Sequence, residues 1–196
     1  MPPRRRSEFD RFCRAAFELL DQTGTRYLVV GGLAVIAVGE PRTTGDVDVI
    51  AFLSAAEARR FIGAAAQAGF EVDSVLERRR LDETGTVRVR RAPFQLDVIV
   101  ASLPFEETAY ARSTPQRLFG RMVRFPSAED LILFKVLAGR DKDILDAVGI
   151  ARRHAARLDH RYLEHTLRPI CDLAEDLSAW RRLHAVLKKA GRNDGP

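Results

Sequence analysis

Cysteine is almost absent from this chain: 196 residues contain two, Cys13 and Cys171. Both sit in apolar helical patterns, so they read as free buried thiols in a reducing cytosol and not as a disulfide framework. Histidine is nearly as scarce. His154, His160, His165 and His184 make no zinc spacing with a cysteine or with one another. No apolar run is long enough to span a membrane. The start, MPPRRRSEFD, has basic residues with no apolar segment behind them, so it does not read as a signal peptide. There is no internal repeat. These absences point to a cytoplasmic protein with no membrane partner. At 46% hydrophobic and 30% charged residues the chain is globular. Its length allows one domain with a real core, or a domain with a small helical appendage. The net charge of +5 suits a polyanionic partner such as a nucleotide or RNA, and a general preference for arginine explains it equally well.

What is present is organised around Tyr27 to Phe52, YLVVGGLAVIAVGEPRTTGDVDVIAF. The apolar run Tyr27 to Val30 reads as a strand. Gly31-Gly32 lets the backbone turn sharply and approach a ligand closely. Leu33 to Val38 suits a short buried helix ended by Gly39, Glu40 and Pro41. A glycine turn at a helix N-terminus favours a phosphate, because free N–H groups and the helix dipole point there. The second strand opens with Asp46-Val47-Asp48, and residues two apart on a strand share one face. Two carboxylates side by side repel unless a cation sits between them. Mg²⁺ takes oxygen ligands and shares them with substrate phosphates. The plain structural reading of these residues is a buried turn followed by two capping or solvated aspartates.

Around this motif the chain divides into a disordered basic tail over residues 1–6, a nucleus of strands and helices over 7–126 that forms the core, and a helical part over 127–190 packed on that core. Ser7 is placed to cap a first helix whose apolar stripe is Phe9, Phe12, Cys13, Ala16, Phe17 and Leu20. Ser54 with Glu57 forms a capping box for the next helix. Phe70 to Leu76 reads as a strand, followed by the polar Arg78, Arg79 and Arg80. Thr86 to Arg91 and Phe94 to Ala101 read as a strand pair joined at Ala92-Pro93. Asp97 lies inside the second, and a lone aspartate there is costly to bury unless paired or metal-bound. An edge-strand aspartate facing water is the other reading. Leu103 to Leu118 reads as a loop with one helical turn, and Arg121 to Phe125 as a short strand. Pro126-Ser127 opens a helix in which Lys135 is the only charge of an apolar run, so it either reaches the surface or meets an anion. Asp143 is a candidate helix cap, and Lys142 with Asp146 a candidate i,i+4 pair. Ile150 to Lys189 is helical and basic, interrupted at Pro169. Its Arg152, Arg153, Arg157, Arg181, Arg182, Lys188 and Lys189 form either a solvated surface or an RNA footprint.

Gly31-Gly32, then Arg42-x-Thr44-x-Asp46-x-Asp48, with Asp97 further on, resembles the signature of the nucleotidyltransferase superfamily. Lys135-x4-Arg140-x-Lys142-Asp143-x2-Asp146 looks like the second signature of its toxin-type (AbiEii-like) members. The usual Gly-Ser is Gly-Gly here, which removes a hydroxyl from the turn. The resemblance implies an α+β fold with a mixed sheet, similar to the polymerase-beta palm, with C-terminal helices. It implies that Asp46, Asp48 and Asp97 converge on two Mg²⁺ ions, with Mn²⁺ as a substitute. It gives Gly31, Gly32, Arg42, Thr44, Lys135 and Asp146 to the nucleotide, with Lys135 balancing phosphate charge. The implied activity is transfer of a nucleoside monophosphate from an NTP to an acceptor hydroxyl. A toxin-like enzyme would act on a tRNA 3′ end and have a cognate antitoxin. The alternatives are a small-molecule, antibiotic-type adenylyltransferase, with Glu106 and Glu107 as candidate acids of a drug pocket, or a non-catalytic nucleotide-binding partner on the same fold.

Overall fold

The computed structural model describes residues 3–39 and 43–191. Four strands form a mixed sheet: β1 (Tyr27–Val30), β2 (Asp46–Ala51), β3 (Thr86–Arg91) and β4 (Phe94–Val100), in the order β1-β2-β4-β3. β1 runs antiparallel to β2, β2 parallel to β4, and β4 antiparallel to β3. The parallel β2–β4 pair cannot close through a tight turn and needs a long crossover. Helices α3 (Ala55–Gln67) and α4 (Ser74–Thr84), with β3, provide it. A two-stranded ribbon follows, β5 (Thr114–Leu118) and β6 (Arg121–Phe125).

Alternation along the strands gives the sheet two different faces. Val47, Val49, Val87, Val89, Leu96 and Val98 are all buried on one side. Asp46, Asp48, Arg88, Gln95 and Asp97 are half-buried on the other. The first helix, α1 (Pro3–Gln22), covers apolar surface with its phenylalanines. The rings of Phe9 and Phe12 lie 5.3 and 5.6 Å from that of Phe94, and Phe17 stacks on Tyr27 at 6.0 Å. Buried rings of this size supply much of a small core's apolar area. Cys13 on this helix is buried and free, as is Cys171, and burial pushes the Cys13 thiol up.

Several elements differ from the sequence reading. α1 begins at Pro3, so residues 3–6 are helical and Ser7 lies within the helix instead of capping it. Phe70 to Leu76 is not a strand. Only Glu71 bridges, to Arg90, and α4 then starts from Asp73, whose carboxylate accepts the N–H groups of Val75 and Leu76. That cap and the left-handed Gly85 at the other end fix a helix that apolar content alone does not suggest. Leu103 to Leu118 is not a loop but α5 (Pro104–Arg112) followed by β5. Pro104 opens α5, and the buried Glu106 accepts the N–H groups of Ser102 and Leu103.

The described residues divide into two compact units. The first runs up to Leu33 and resumes over Thr43–Phe125; it holds the sheet and the ribbon. The second begins at Ala34, inside α2 (Gly31–Val38), and resumes at Pro126. It contains α6 (Ala128–Ala138), α7 (Asp141–His154), α8 (His160–Leu173) and α9 (Ser178–Gly191). The His154 ring bonds to the carbonyl of Val38 at 2.7 Å, tying the end of α2 to α7. In α6, Ser127 caps the start, and Arg182 of α9 donates to the Val136 carbonyl at the other end. The buried Asp130 accepts from Ser127 and Tyr162. Pro169 sits inside α8 without ending it. Pro169 and His165, whose carbonyl loses its helical donor, both lie on the exposed face, where water can serve that carbonyl. The break falls at Ala174, before the left-handed Glu175. No helix among the described residues is long and apolar enough to cross a membrane.

Because α4 depends on its cap, Asp73→Ala should destabilise the protein by about 1 kcal/mol. A lowered urea midpoint with unchanged slope would show it, and an unchanged midpoint would mean that packing alone sets this helix.

Candidate active site on the polar face of the sheet

The parallel register places Asp48 directly beside Asp97, and Asp46 beside Gln95. The antiparallel register on the other side places Arg88 beside Asp97. Asp48, Asp97 and Arg88 therefore form one row across three strands, spaced by the roughly 4.8 Å that separates neighbouring strands. Above the Asp48 end of this row lies the glycine turn. Gly31 has φ +61°, and a Cβ there would lie 1.9 Å from Asp48 Oδ2 and 2.5 Å from its Cγ. Only glycine fits, both for its backbone and for the carboxylate packed against it.

The third carboxylate is already taken. Arg88 grips Asp97 with two parallel bonds, Nε to Oδ1 at 2.6 Å and Nη2 to Oδ2 at 2.9 Å, and Gln95 Nε2 adds a third at 3.2 Å. Arg88 is itself anchored, since its backbone N–H donates to the buried Glu77 at 2.7 Å. The bond to Asp97 raises the Arg88 pKa further, against the lowering by burial, and the charges of Asp97, Glu77 and Asp46 add to the rise. Among the described residues, no three His, Cys, Asp or Glu side chains group so as to hold a metal ion. The strands thus supply the shared face, but the side chains do not form the three-acid cluster that the resemblance implies. Asp46 and Asp48 are hard oxygen donors on one face and fit a Mg²⁺ ion in their chemistry. Asp97, in its pair with Arg88, does not fit a second.

A family model described as a nucleotidyltransferase of unknown function (DUF6036) matches residues 12–184. The chain belongs to this family. No curated protein matches its sequence. Among solved structures it is similar to the solution structure of the antibiotic-resistance factor ANT(2'')-Ia, at 15% identity and TM-score 0.57, covering 86% of this chain and 96% of that one. It also matches an antigenic nucleotidyltransferase-like protein from Paracoccidioides brasiliensis, at 17% identity, 93% of both chains and TM-score 0.45. A third match is the lincomycin-bound lincosamide antibiotic adenylyltransferase LnuA, at 15% identity, 72% and 94% coverage and TM-score 0.47. The mixed α+β architecture is that of the nucleotidyltransferases.

The other residues expected in this DUF6036 site have varied places. Gly32 is the buried second residue of α2. The Thr44 hydroxyl bonds to the backbone of Asp46, to its carbonyl at 3.2 Å and from its N–H at 3.4 Å, so it fixes the entry to β2. Arg42 lies outside the described residues. Lys135, in the second unit, meets anions: its ammonium donates to Asp143 at 2.8 Å and Asp146 at 2.9 Å, with its side chain 5% exposed. Asp143 is fully buried and also takes a bond from Arg140 at 2.5 Å. Asp143 is thus the centre of an ion cluster joining α6 to α7 and not a helix cap, and Asp146 belongs with Lys135. The expected drug-pocket acids do other work. Glu106 is buried as the α5 cap, and burial raises its pKa against the lowering by its two backbone bonds. Glu107 pairs with Arg26 in an open cavity of about 490 Å³ at the far end of β2 and β4 from Asp46. Sequence reasoning missed Arg88 and Gln95. Their alternation with Val87, Val89 and Leu96 was the available signal, but strand pairing was needed to give it meaning.

Three outcomes follow from these contacts. Gly31→Ala should force Asp48 aside and cost about 1–2 kcal/mol for the left-handed backbone alone, seen as a lower melting temperature. Lys135→Ala, which leaves buried carboxylates uncompensated, should cost about 3–5 kcal/mol in urea unfolding. Burial pushes the Asp143 carboxyl up, but the bonds and charges of Arg140 and Lys135 outweigh this and hold it below its usual range. Its contribution to stability is therefore complete above the ordinary aspartate value of about 4 and is lost as pH falls through the lowered folded value. The stability gap between the wild type and Asp143→Asn should narrow on acidification below about pH 4, and a constant gap would show that Asp143 does not titrate as described.

Proposed function

We propose that the chain is a Mg²⁺-dependent nucleotidyltransferase that moves a nucleoside monophosphate from an NTP to an acceptor hydroxyl. The observation that carries this reading is the Asp46–Asp48 face of β2 lying against the glycine turn that opens α2, with no room for a side chain at Gly31. In this reading Asp46 and Asp48 hold the ion, and Thr44 keeps Asp46 in place. The N–H groups at the start of α2 receive the phosphates, aided by the helix dipole. Bound Mg²⁺ supplies charge neutralisation on the triphosphate. The acceptor oxygen bonds to the α-phosphorus, the bond to the bridging oxygen breaks, and pyrophosphate leaves; the hydroxyl proton passes to solvent. The protein's part is positioning and electrostatics.

For the acceptor we propose RNA, as in a toxin-like enzyme acting on a tRNA 3′ end and held in check by an antitoxin. The exposed Arg152, Arg153, Arg157, Arg181, Lys188 and Lys189 of the second unit support it. The second reading, a small-molecule acceptor, has the fold shared with the antibiotic-resistance factor in its favour. The burial of Glu106 and the pairing of Glu107 weigh against an acidic drug pocket at those residues.

Incubation with each labelled NTP, Mg²⁺ and either total tRNA or aminoglycosides and lincosamides tests both. Label in tRNA, lost in Asp46→Ala, is expected. Label in a drug would transfer the assignment to the second reading. An Asp46→Ala protein that releases pyrophosphate at the parent rate would remove the proposal.

A further inference from the structure

We infer that Arg88 serves as a built-in cation at the third carboxylate, so that this nucleotidyltransferase binds one divalent ion, on Asp46 and Asp48, and not two. The inference rests on the nucleotidyl-transfer reading above and concerns how that site balances charge. Sites with two metals hold their ions roughly 3.5–4 Å apart, each sharing carboxylate oxygens. Here one of those positions faces Asp97, and Asp97 has little left to give. Its Oδ1 accepts Arg88 Nε, and its Oδ2 accepts both Arg88 Nη2 and Gln95 Nε2. Three of roughly four lone-pair sites are occupied.

The guanidinium is not easily moved. Its planar fork matches the carboxylate in two bonds at once, and it stays charged at any working pH. The strand that carries it is pinned on both sides. Arg88 stands opposite Asp97 in the β3–β4 ladder, and its own N–H is held by Glu77, which is 4% exposed. A dication that came to Asp97 would have to break both bonds and then sit beside a fixed positive charge. Mg²⁺ gives up its water reluctantly, which makes that exchange less favourable still. Arg88 closes the row on the far side of Asp97 from Asp48, so its charge meets the third carboxylate from β3.

Counting Mn²⁺ tests this without any turnover. The full-length chain is titrated with Mn²⁺ in the presence of a non-hydrolysable NTP analogue, and free Mn²⁺ is read by electron paramagnetic resonance. One ion per chain in the complex, counting the one shared with the analogue's phosphates, is expected for the wild type and for Arg88→Lys. Arg88→Met should bind two, and adding Asp97→Asn should return the count to one. Two ions on the wild type would overturn the inference and leave the nucleotidyl-transfer reading intact. No bound ion on the wild type would overturn that reading as well. A folded Arg88→Met protein that still binds one ion would show that Arg88 is not what excludes the second. Should Arg88→Met fail to fold, the wild-type count decides alone.

Discussion

The parallel pairing of β2 with β4 is the constraint on which the site depends. It puts Asp48 beside Asp97 in register, and side-chain alternation then sends every valine of these strands to the covered face and every carboxylate to the open one. A slip of one residue would bury Asp46, Asp48 and Asp97 and expose Val47, Val49 and Val98. The apolar face therefore fixes the polar one. The phenylalanines of α1 that pack near Phe94 thereby help to hold the carboxylates in place.

Two ionic clusters, around Asp97 and around Asp143, follow the same rule at different depths. Asp97 is half-buried and paired to Arg88 on the neighbouring strand. Asp143 is fully buried and shared by Lys135 and Arg140. In each case a cation from an adjacent element meets a carboxylate inside the protein, which offsets the desolvation that the carboxylate would otherwise suffer. The Lys135 cluster joins two helices of the second unit. The Arg88 pair lies on the face proposed for catalysis, where the same physics also limits what else can bind.

Gly31 shows how a backbone requirement can be set by a distant side chain. The turn needs a positive φ, and the carboxylate of Asp48 occupies the space of the missing Cβ. The turn and the first acid pair are thus one structural unit, coupled through contact and not merely through their order in the chain. The family match over residues 12–184 covers this unit and both ionic clusters.

Local rules determined much of this protein from sequence alone. The strand–turn–helix of Tyr27 to Val38, the strand opening at Asp46, the Ser54 and Ser127 caps and the β3–β4 pair each depend on neighbours within a few residues. So does the family, whose motif is an ordered set of local signals. Tertiary structure decided the rest. Asp73 could make α4 in place of a strand, and Glu106 could make α5 in place of a loop, only where the chain found partners for those elements. Pro169 was tolerated because its turn faces water. Above all, pairing across strands gave Asp97 to Arg88, nine residues away along the chain and directly opposite in the sheet. A carboxylate's neighbours in sequence say that it needs a cation; only the register of the sheet says which cation it finds.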